Sequence, residues 1–304
     1  MVESSQWAFA SLDERDLAMP PPGIYEGVPH DVYRAWDAVS FSRLKRIDDC
    51  PLQYKLNTST ESAAMKLGSY VHCALLEPDE LDERFVVPSW HRDAANVTAS
   101  GKPSESKSTA YYKSMRQAAE ESGVTIVSDS DADMLDRIKK VIADNNRADQ
   151  WLNKDHGWSE VSIVWTDKHT GLMCKARIDR LTPQRLIDVK TCMSCKPSEF
   201  MWDIYKRGYH RQAAWYLKGW NTLASEGLTE PVDEFAIIAV GKDSPVQVTA
   251  APLSEDAIRL GENDNIEALA MVEYCMASDE WPGHQNPTVF DLPPKAYPDL
   301  EGIS

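Results

Sequence analysis

Three consecutive strand-like segments between residues 159 and 190 constrain this chain more than any other feature. Residues 159–165 alternate, with Val161, Ile163 and Trp165 on one side and Glu160, Ser162 and Val164 on the other. That is the two-residue period of a β-strand. A turn follows at 167–171, and residues 172–179 alternate again. Leu172, Cys174, Ala176 and Ile178 share one face, and Met173, Lys175, Arg177 and Asp179 share the other. After Thr182-Pro183, residues 185–190 read as a third strand, in which Leu186, Asp188 and Lys190 share a face. The wholly apolar face must be core, so Lys175, Arg177 and Asp179 crowd charge onto the opposite one.

Helices flank this centre. Residues 40–49 form an amphipathic helix capped by Ser40 or Ser42, with Phe41, Leu44 and Ile47 on one side and Arg43, Lys45 and Arg46 on the other. Pro51 breaks it. A second helix over 63–77 stops at Pro78. Further helices are expected over 109–122 and 131–146, from Pro197 to about 206, over 209–220 and over 254–277, with strands at 235–240 and 245–250. This order predicts a single α/β domain over 40–280, its central mixed sheet flanked by helices. Residues 1–39 read as an acidic, Pro-rich extended arm, 92–110 as a polar mobile loop, and 281–304 as a Pro-rich tail.

No run approaches the length of a membrane-spanning helix, and the acidic N-terminus lacks a cationic signal segment. The expected location is the cytoplasm, with no membrane partner. Reduced thiols are then expected for the six cysteines. Cys192 and Cys195 form the one close pair, too few for a four-ligand zinc site. The net charge of −16 sits oddly with a polyanionic substrate, but its distribution matters more than its size. Residues 1–39 carry seven acidic against two basic side chains, and residues 254–304 eleven against two, so the ends account for −14 of the total. The middle of the chain is near neutral and can hold a local basic groove. Such a charge pattern excludes a protein that coats nucleic acid, but not one that acts on it.

If the second and third strands lie side by side, Asp179, Asp188 and Lys190 meet. Paired carboxylates repel unless a cation lies between them, and oxygen ligands suit Mg²⁺ or Mn²⁺. Such a site serves phosphodiester hydrolysis, and a neighbouring lysine can orient or deprotonate the attacking water and offset developing charge. The bland alternative is a salt-bridge cluster on a solvated sheet face. Against it, Asp188 lies within Leu186-Ile187-Asp188-Val189-Lys190, a run apolar enough for a central strand, where unpaired charge is costly.

At these residues the chain resembles the PD-(D/E)XK nuclease superfamily. Asp179-x8-Asp188-Val189-Lys190 looks like its signature, Gly68-Ser-Tyr-Val-His72 like the G-x-x-x-H helix motif of the RecB-type branch, and Gln212-Ala-Ala-Trp-Tyr216 like its Q-x-x-x-Y motif. With Ser40-Phe-Ser-Arg-Leu and Cys50-Pro-Leu-Gln-Tyr54 upstream, the order resembles the exodeoxyribonuclease VIII (RecE-like) domains often found in phages. The resemblance implies His72, Asp179, Asp188 and the Val189 carbonyl as metal ligands, and Lys190 as the catalytic lysine. Gln212 and Tyr216 would contact DNA or brace the site, with Arg177 also placed near substrate. Glu160 would be an accessory ligand or a salt-bridge partner of Lys175 or Arg177. Gly68 would admit another backbone close to the helix. Some RecB-type nucleases hold an iron–sulfur cluster on one early and three late cysteines; here only Cys50 and Cys275 are suitably placed, so no such cluster is expected.

The resemblance implies a Mg²⁺-dependent exonuclease, with Mn²⁺ able to substitute, acting on double-stranded DNA ends from the 5′ side. It would leave 3′ single strands for a single-strand annealing protein, and work as a homo-oligomeric ring, a trimer or tetramer. Two other readings remain open at this point: a structure-specific or single-strand endonuclease on the same fold, and a catalytically inactive DNA-end-binding module. A zinc-binding interaction protein is weakened by the cysteine count.

Overall fold

The computed structural model describes residues 9–10, 19–58, 62–286 and 289. Its strands are β1 (Phe9–Ala10), β2 (Gly23–Tyr25), β3 (Val39–Ser40), β4 (Phe85–Val86), β5 (Thr125–Ile126), β6 (Trp158–Thr166), β7 (Met173–Thr182), β8 (Arg185–Cys192), β9 (Glu234–Gly241) and β10 (Gln247–Pro252). Its helices are α1 (His30–Ala35), α2 (Phe41–Leu44), α3 (Pro51–Leu56), α4 (Ala63–Leu76), α5 (Leu81–Arg84), α6 (Ala110–Glu121), α7 (Asp129–Ala143), α8 (Asn146–Leu152), α9 (Pro197–Arg207), α10 (Tyr209–Ser225) and α11 (Glu255–Ser278). One mixed sheet runs in the order β1-β2-β6-β7-β8-β9-β10, with β3 against β7, and β4 and β5 form a separate pair.

The sheet lies between two helical layers, the arrangement expected of a PD-(D/E)XK domain. On one face α10 and α11 press Trp215, Trp220, Leu223, Leu269 and Val272 against Ile163, Trp165, Ala176 and Ile178. On the other, α4, α7 and α8 bring Val71, Leu135, Ile138 and Trp151 against Ile187, Val189, Ala236 and Ile238. β9 therefore carries an unbroken apolar run, as a strand covered on both faces must. Gly219 is required where α10 crosses β6: a Cβ there would lie 2.6 Å from the Trp165 ring.

Local rules account for most helix boundaries. The hydroxyls of Ser62, Thr109, Ser128 and Ser254 accept from backbone N–H groups at the starts of α4, α6, α7 and α11. Ser40, of the two serines expected to cap, caps α2. The expected 40–49 helix is a short α2 continued by a 3₁₀ turn at Lys45–Ile47, and Pro51 opens α3 at its first turn.

The N-terminal expectation needs correction. The segment read as an extended arm joins the domain: Phe9 pairs with Ile24 where β1 meets β2, and from Gly23 onward the chain is part of the fold. Ile24 pairs with Ile163 as β2 joins the sheet, and Tyr25, Val28 and Trp36 form a small cluster with Val164. The signal missed was Gly23-Ile24-Tyr25, too short for periodicity to register. Most of the acidic stretch before residue 19, and most of the tail after 286, lie outside the described residues. Before that point the tail does pack: Trp281 stacks on Tyr54 with ring centroids 5.6 Å apart. The polar segment 92–110 folds around Asn96, which is fully buried and donates to the His91 carbonyl at 3.0 Å. All six cysteines are free and buried.

Candidate active site

The site exists because two strands part company. β7 and β8 pair through Thr182–Arg185, Leu181–Leu186 and Arg180–Ile187, and the ladder stops there. Asp179 and Asp188 are next in register, the first residues beyond the last pair. β8 instead follows β9 in parallel along its whole length, and β3 takes the vacated edge of β7 at Cys174 and Lys175. A wedge opens between the strands with one aspartate on each side. Asp179 Oδ2 accepts from the Val189 N–H at 2.8 Å across it.

Opposite Asp179 on β6 stands Glu160, at φ +53°, a left-handed conformation that a non-glycine residue adopts at a cost of about 1–3 kcal/mol. The β6–β7 ladder pairs residues 159 with 180 and 161 with 178, passing over the Glu160–Asp179 position. The alternation breaks at the same place. Trp158 and Val161 pack in one cluster although three residues apart, and so do Ile178 and Leu181. Strict period-two reading therefore holds on either side of this point and fails across it.

His72 reaches the wedge from the middle of α4, its Nδ1 3.4 Å from Asp179 Oδ2. Ligand atoms of His72, Glu160 and Asp179 all lie within 4.8 Å of one another. Burial raises Glu160 to about 7, with nearby Asp179 adding to the effect. Burial also raises Asp179, to about 8, with Asp188 as the next cause. His72 is lowered by burial and then by Lys190, which keeps its imidazole neutral and able to ligate.

The second aspartate is differently placed. Asp188, 1% exposed, accepts from Gln212 Nε2 at 2.7 Å through Oδ1, and its Oδ2 lies 2.7 Å from Lys190 Nζ. That ion-pair contact lacks hydrogen-bond angles, and Oδ2 is otherwise buried without a donor. Burial alone would lower Lys190, but Asp188 and Asp179 outweigh it and leave the ammonium raised. Lys190 Nζ also lies 4.8 Å from the centroid of the Tyr209 ring. Gln212 and Tyr216, one turn apart on α10, form a brace: Gln212 Nε2 donates to Tyr216 Oη at 3.1 Å as well as to Asp188. Burial holds Tyr216 well above its usual range, so the phenol stays protonated.

Several expectations change here. The compact ligand cluster comprises His72, Glu160 and Asp179, while the Asp188 carboxylate is taken up by Lys190 and Gln212. The Val189 backbone is engaged as well, its N–H by Asp179. Of the two partners considered for Glu160, Arg177 is the one it meets, with Nε 2.5 Å from Oε2. Arg177 goes on to Glu77 Oε1 at 3.1 Å and the Val28 carbonyl at 2.7 Å, so it braces the site from behind. Lys175 is unavailable to Glu160. Its ammonium donates to the carbonyls of Tyr33, Arg34 and Trp36, capping the end of α1. Gly68 meets no close backbone: a Cβ there would touch only Thr191 Oγ1, at 3.6 Å. It faces the open cleft instead.

Sequence reasoning missed Glu77, which ends α4 and pairs with both Arg177 and Arg84. It also missed His30 and Tyr33 on α1, which line the same cleft. Nothing local marks them, because each reaches the site through a contact 100 or more residues away in sequence or through the N-terminal segment's packing. Tyr209 had a signal, since it stands beside the Q-x-x-x-Y motif.

The donor set of the wedge, two buried carboxylates and a neutral imidazole, fits a hard divalent cation. Burial raises Glu160 and Asp179, with a neighbouring carboxylate as the next cause for each, so a cation beside them would favour their ionised forms.

A sequence model of the family described as a PDDEXK-like domain of unknown function (DUF3799) matches residues 40–287. No protein of curated function matches the chain in sequence. Among solved structures, one from Eubacterium rectale, provisionally named an exonuclease, is similar at 18% identity and a TM-score of 0.49, over 80% of this chain and 79% of that one. LHK-Exo, solved with dAMP bound, is similar at 17% identity and a TM-score of 0.23, over 57% of this chain and 87% of its own. At such scores the family match alone carries the assignment.

Proposed function

The chain belongs to the PDDEXK-like family, and on that premise we propose that it is a divalent-metal-dependent exodeoxyribonuclease acting on the ends of linear double-stranded DNA. The observation that carries this reading is the convergence of His72, Glu160 and Asp179 within 4.8 Å, beside the Asp188–Lys190 pair. His72, Glu160 and Asp179 would hold Mg²⁺, or Mn²⁺ in its place, with Asp188 close by. The ion supplies neutralisation of phosphate charge and activation of water. Lys190, kept protonated by Asp188, places a fixed positive charge where the attacked phosphate gains negative charge. Gln212 and Tyr216 hold Asp188, and through it Lys190, in one orientation. Arg177 and Glu77 fix the Glu160 carboxylate from the opposite side.

In its finer form the reading is digestion from 5′ ends that leaves 3′ single strands, taken up by a single-strand annealing protein inside the cell. A near-neutral core offers one subunit few phosphate contacts, and each contact contributes about 0.9 to the salt slope of binding. A closed ring of three or four chains would pool such contacts, with the acidic ends turned outward. The test is digestion of linear duplex labelled at one end, beside a closed circle, with Mg²⁺, Mn²⁺, Ca²⁺ or excess chelator. Release of 5′ label from linear duplex with Mg²⁺ or Mn²⁺ only, and an intact circle, is the expected result. Undiminished cleavage in chelator overturns the metal reading. A cut circle would make the enzyme an endonuclease, and light scattering at one chain's mass would refute the ring alone.

A further inference from the structure

An aromatic row leaves the active site along α9, and neither the metal cluster nor the family motifs use it. α9 buries only Phe200, which lies 6.2 Å from the Tyr209 ring. Its outer face carries Trp202 and Tyr205, each 62% exposed, and Met201, 60% exposed. These are large apolar groups on a helix with little core to make, and exposed patches of this kind mark binding surfaces. The Tyr205 ring stacks on His210 at 5.9 Å, and the next ring along the chain, Tyr209, lies under Lys190. The exposed rings thus sit on the helix whose C-terminal end meets the cleft, at Arg207 and Tyr209.

Charge follows the same path. Lys206 Nζ lies over the Trp202 ring at 5.8 Å and has no carboxylate partner among the described residues. Asp203 is paired with Arg207 at 3.4 Å and Glu199 with Lys196 at 3.1 Å, so the acidic groups of the helix are already matched by its own cations. Arg207 and Lys45 line the cleft where α9 meets it, and Lys45 is tied to the Arg207 carbonyl at 2.6 Å. In a chain of net charge −16, a face with unmatched positive charge and exposed π surface is a local exception. Spaced aromatic rings interleaved with cations match a polynucleotide single strand, whose bases stack and whose phosphates take the charge. Continuity with the cleft selects that occupant over a second copy of this chain, which would have to seat beside an open catalytic centre.

We infer that Trp202, Tyr205 and Lys206 form a single-strand track that guides one DNA strand to or from Lys190 by base stacking. The inference rests on the nuclease reading for its substrate, but its test does not depend on cleavage. Binding of a dye-labelled oligothymidine to the full-length protein in excess chelator is read by fluorescence anisotropy, beside an abasic strand of equal length. Trp202→Ala and Tyr205→Ala should each weaken oligothymidine binding roughly tenfold, with little effect on the abasic strand, and Trp202→Phe should restore most of the loss. Both side chains are largely solvent-exposed, so unfolding is not expected, and thermal melting of each variant checks this. Unchanged oligothymidine affinity in folded Trp202→Ala and Tyr205→Ala proteins would overturn the track, even if the wild type digests DNA. Equal loss on both strands would replace stacking with charge and also overturn it. A fall in the mass measured by light scattering would make α9 an interface between copies instead. Selective loss of oligothymidine binding in the two variants, beside a wild type that binds but does not cleave, would leave the track standing and the nuclease reading refuted.

Discussion

The two sides of the wedge hold similar carboxylates in opposite electrostatic states. On the β6–β7 side, Glu160 and Asp179 are buried together and raised to about 7 and about 8, with Arg177 reaching only Glu160 directly. On the β8 side, Asp188 is more deeply buried but already has Lys190 and Gln212. The difference separates the tasks. One side has two carboxylates against a single guanidinium, while the other has its carboxylate matched by an ammonium and an amide. A buried charge is tolerated only when paired, and Arg177 alone stands against two carboxylates on the first side, so that side is the one suited to an ion.

Removing Asp179 or Lys190 should separate the sides most sharply. Asp179→Ala should lower cleavage of duplex DNA by at least ~1,000-fold and abolish the thermal stabilisation that Mn²⁺ confers. Lys190→Ala should lower cleavage by about 100- to 1,000-fold yet keep the Mn²⁺ stabilisation. Single-turnover digestion and thermal melting of the same samples give both readouts. Equal loss of metal binding in the two variants would merge the sides into one.

Glu160→Gln keeps the shape and removes the charge. Apparent Mn²⁺ affinity should fall about 10- to 100-fold, while cleavage at saturating Mn²⁺ recovers to a measurable rate. Metal titrations of activity decide this. An unchanged affinity would reduce Glu160 to a salt-bridge partner of Arg177.

The pH response follows from the same asymmetry. Glu160 and Asp179 have folded pKa values above their ordinary ones, so the stability tied to their protonated forms is present in full below the ordinary carboxylate range. It is lost as pH rises through about 7 and then about 8. Metal-free protein should thus melt lower at pH 8 than at pH 6 as far as these groups decide it, and the Mn²⁺-induced rise in Tm should grow across that window. Asp179→Asn should flatten the trend. A metal increment that does not grow with pH would contradict the unpaired state of this side.

The smallest effects belong to the brace. Gln212→Ala leaves Asp188 Oδ1 without its donor, a cost of about 1–3 kcal/mol, and should lower kcat roughly tenfold with metal affinity unchanged. Tyr216→Phe removes only the hydroxyl that accepts from Gln212 and should cost about two- to threefold. If Tyr216→Phe proved the more severe, the phenol would act on substrate and not on Asp188.

Periodicity made the centre of the fold legible. Val161, Ile163 and Trp165, and Cys174, Ala176 and Ile178, pack in one core cluster as their alternation requires. The proximity of Asp179, Asp188 and Lys190 was also readable, because adjacent antiparallel strands bring residues flanking a short turn together. Two features were not. The left-handed turn of Glu160 has no local signal, since glutamate does not favour that conformation and holds it only among contacts with Arg177, His72 and Asp179. The N-terminal contribution was hidden because β2 is three residues long and α1 buries none of its own residues.

By itself, the sequence determined which residue types stand on which strand face, where α4, α6 and α11 begin, and that two aspartates and a lysine share a small region. These follow from bonds and spacings within a few residues. Only the tertiary structure decided how the work is divided among them. β8 prefers β9 to β7, and that choice opens the wedge. Lys190 and Gln212 then claim Asp188, while Glu160, from a strand further along the sheet, completes the set with His72 and Asp179. Pairings of this kind join residues as much as 107 positions apart, as His72 and Asp179 are, and their outcome depends on how burial distributes charges among partners, a quantity that no local pattern encodes.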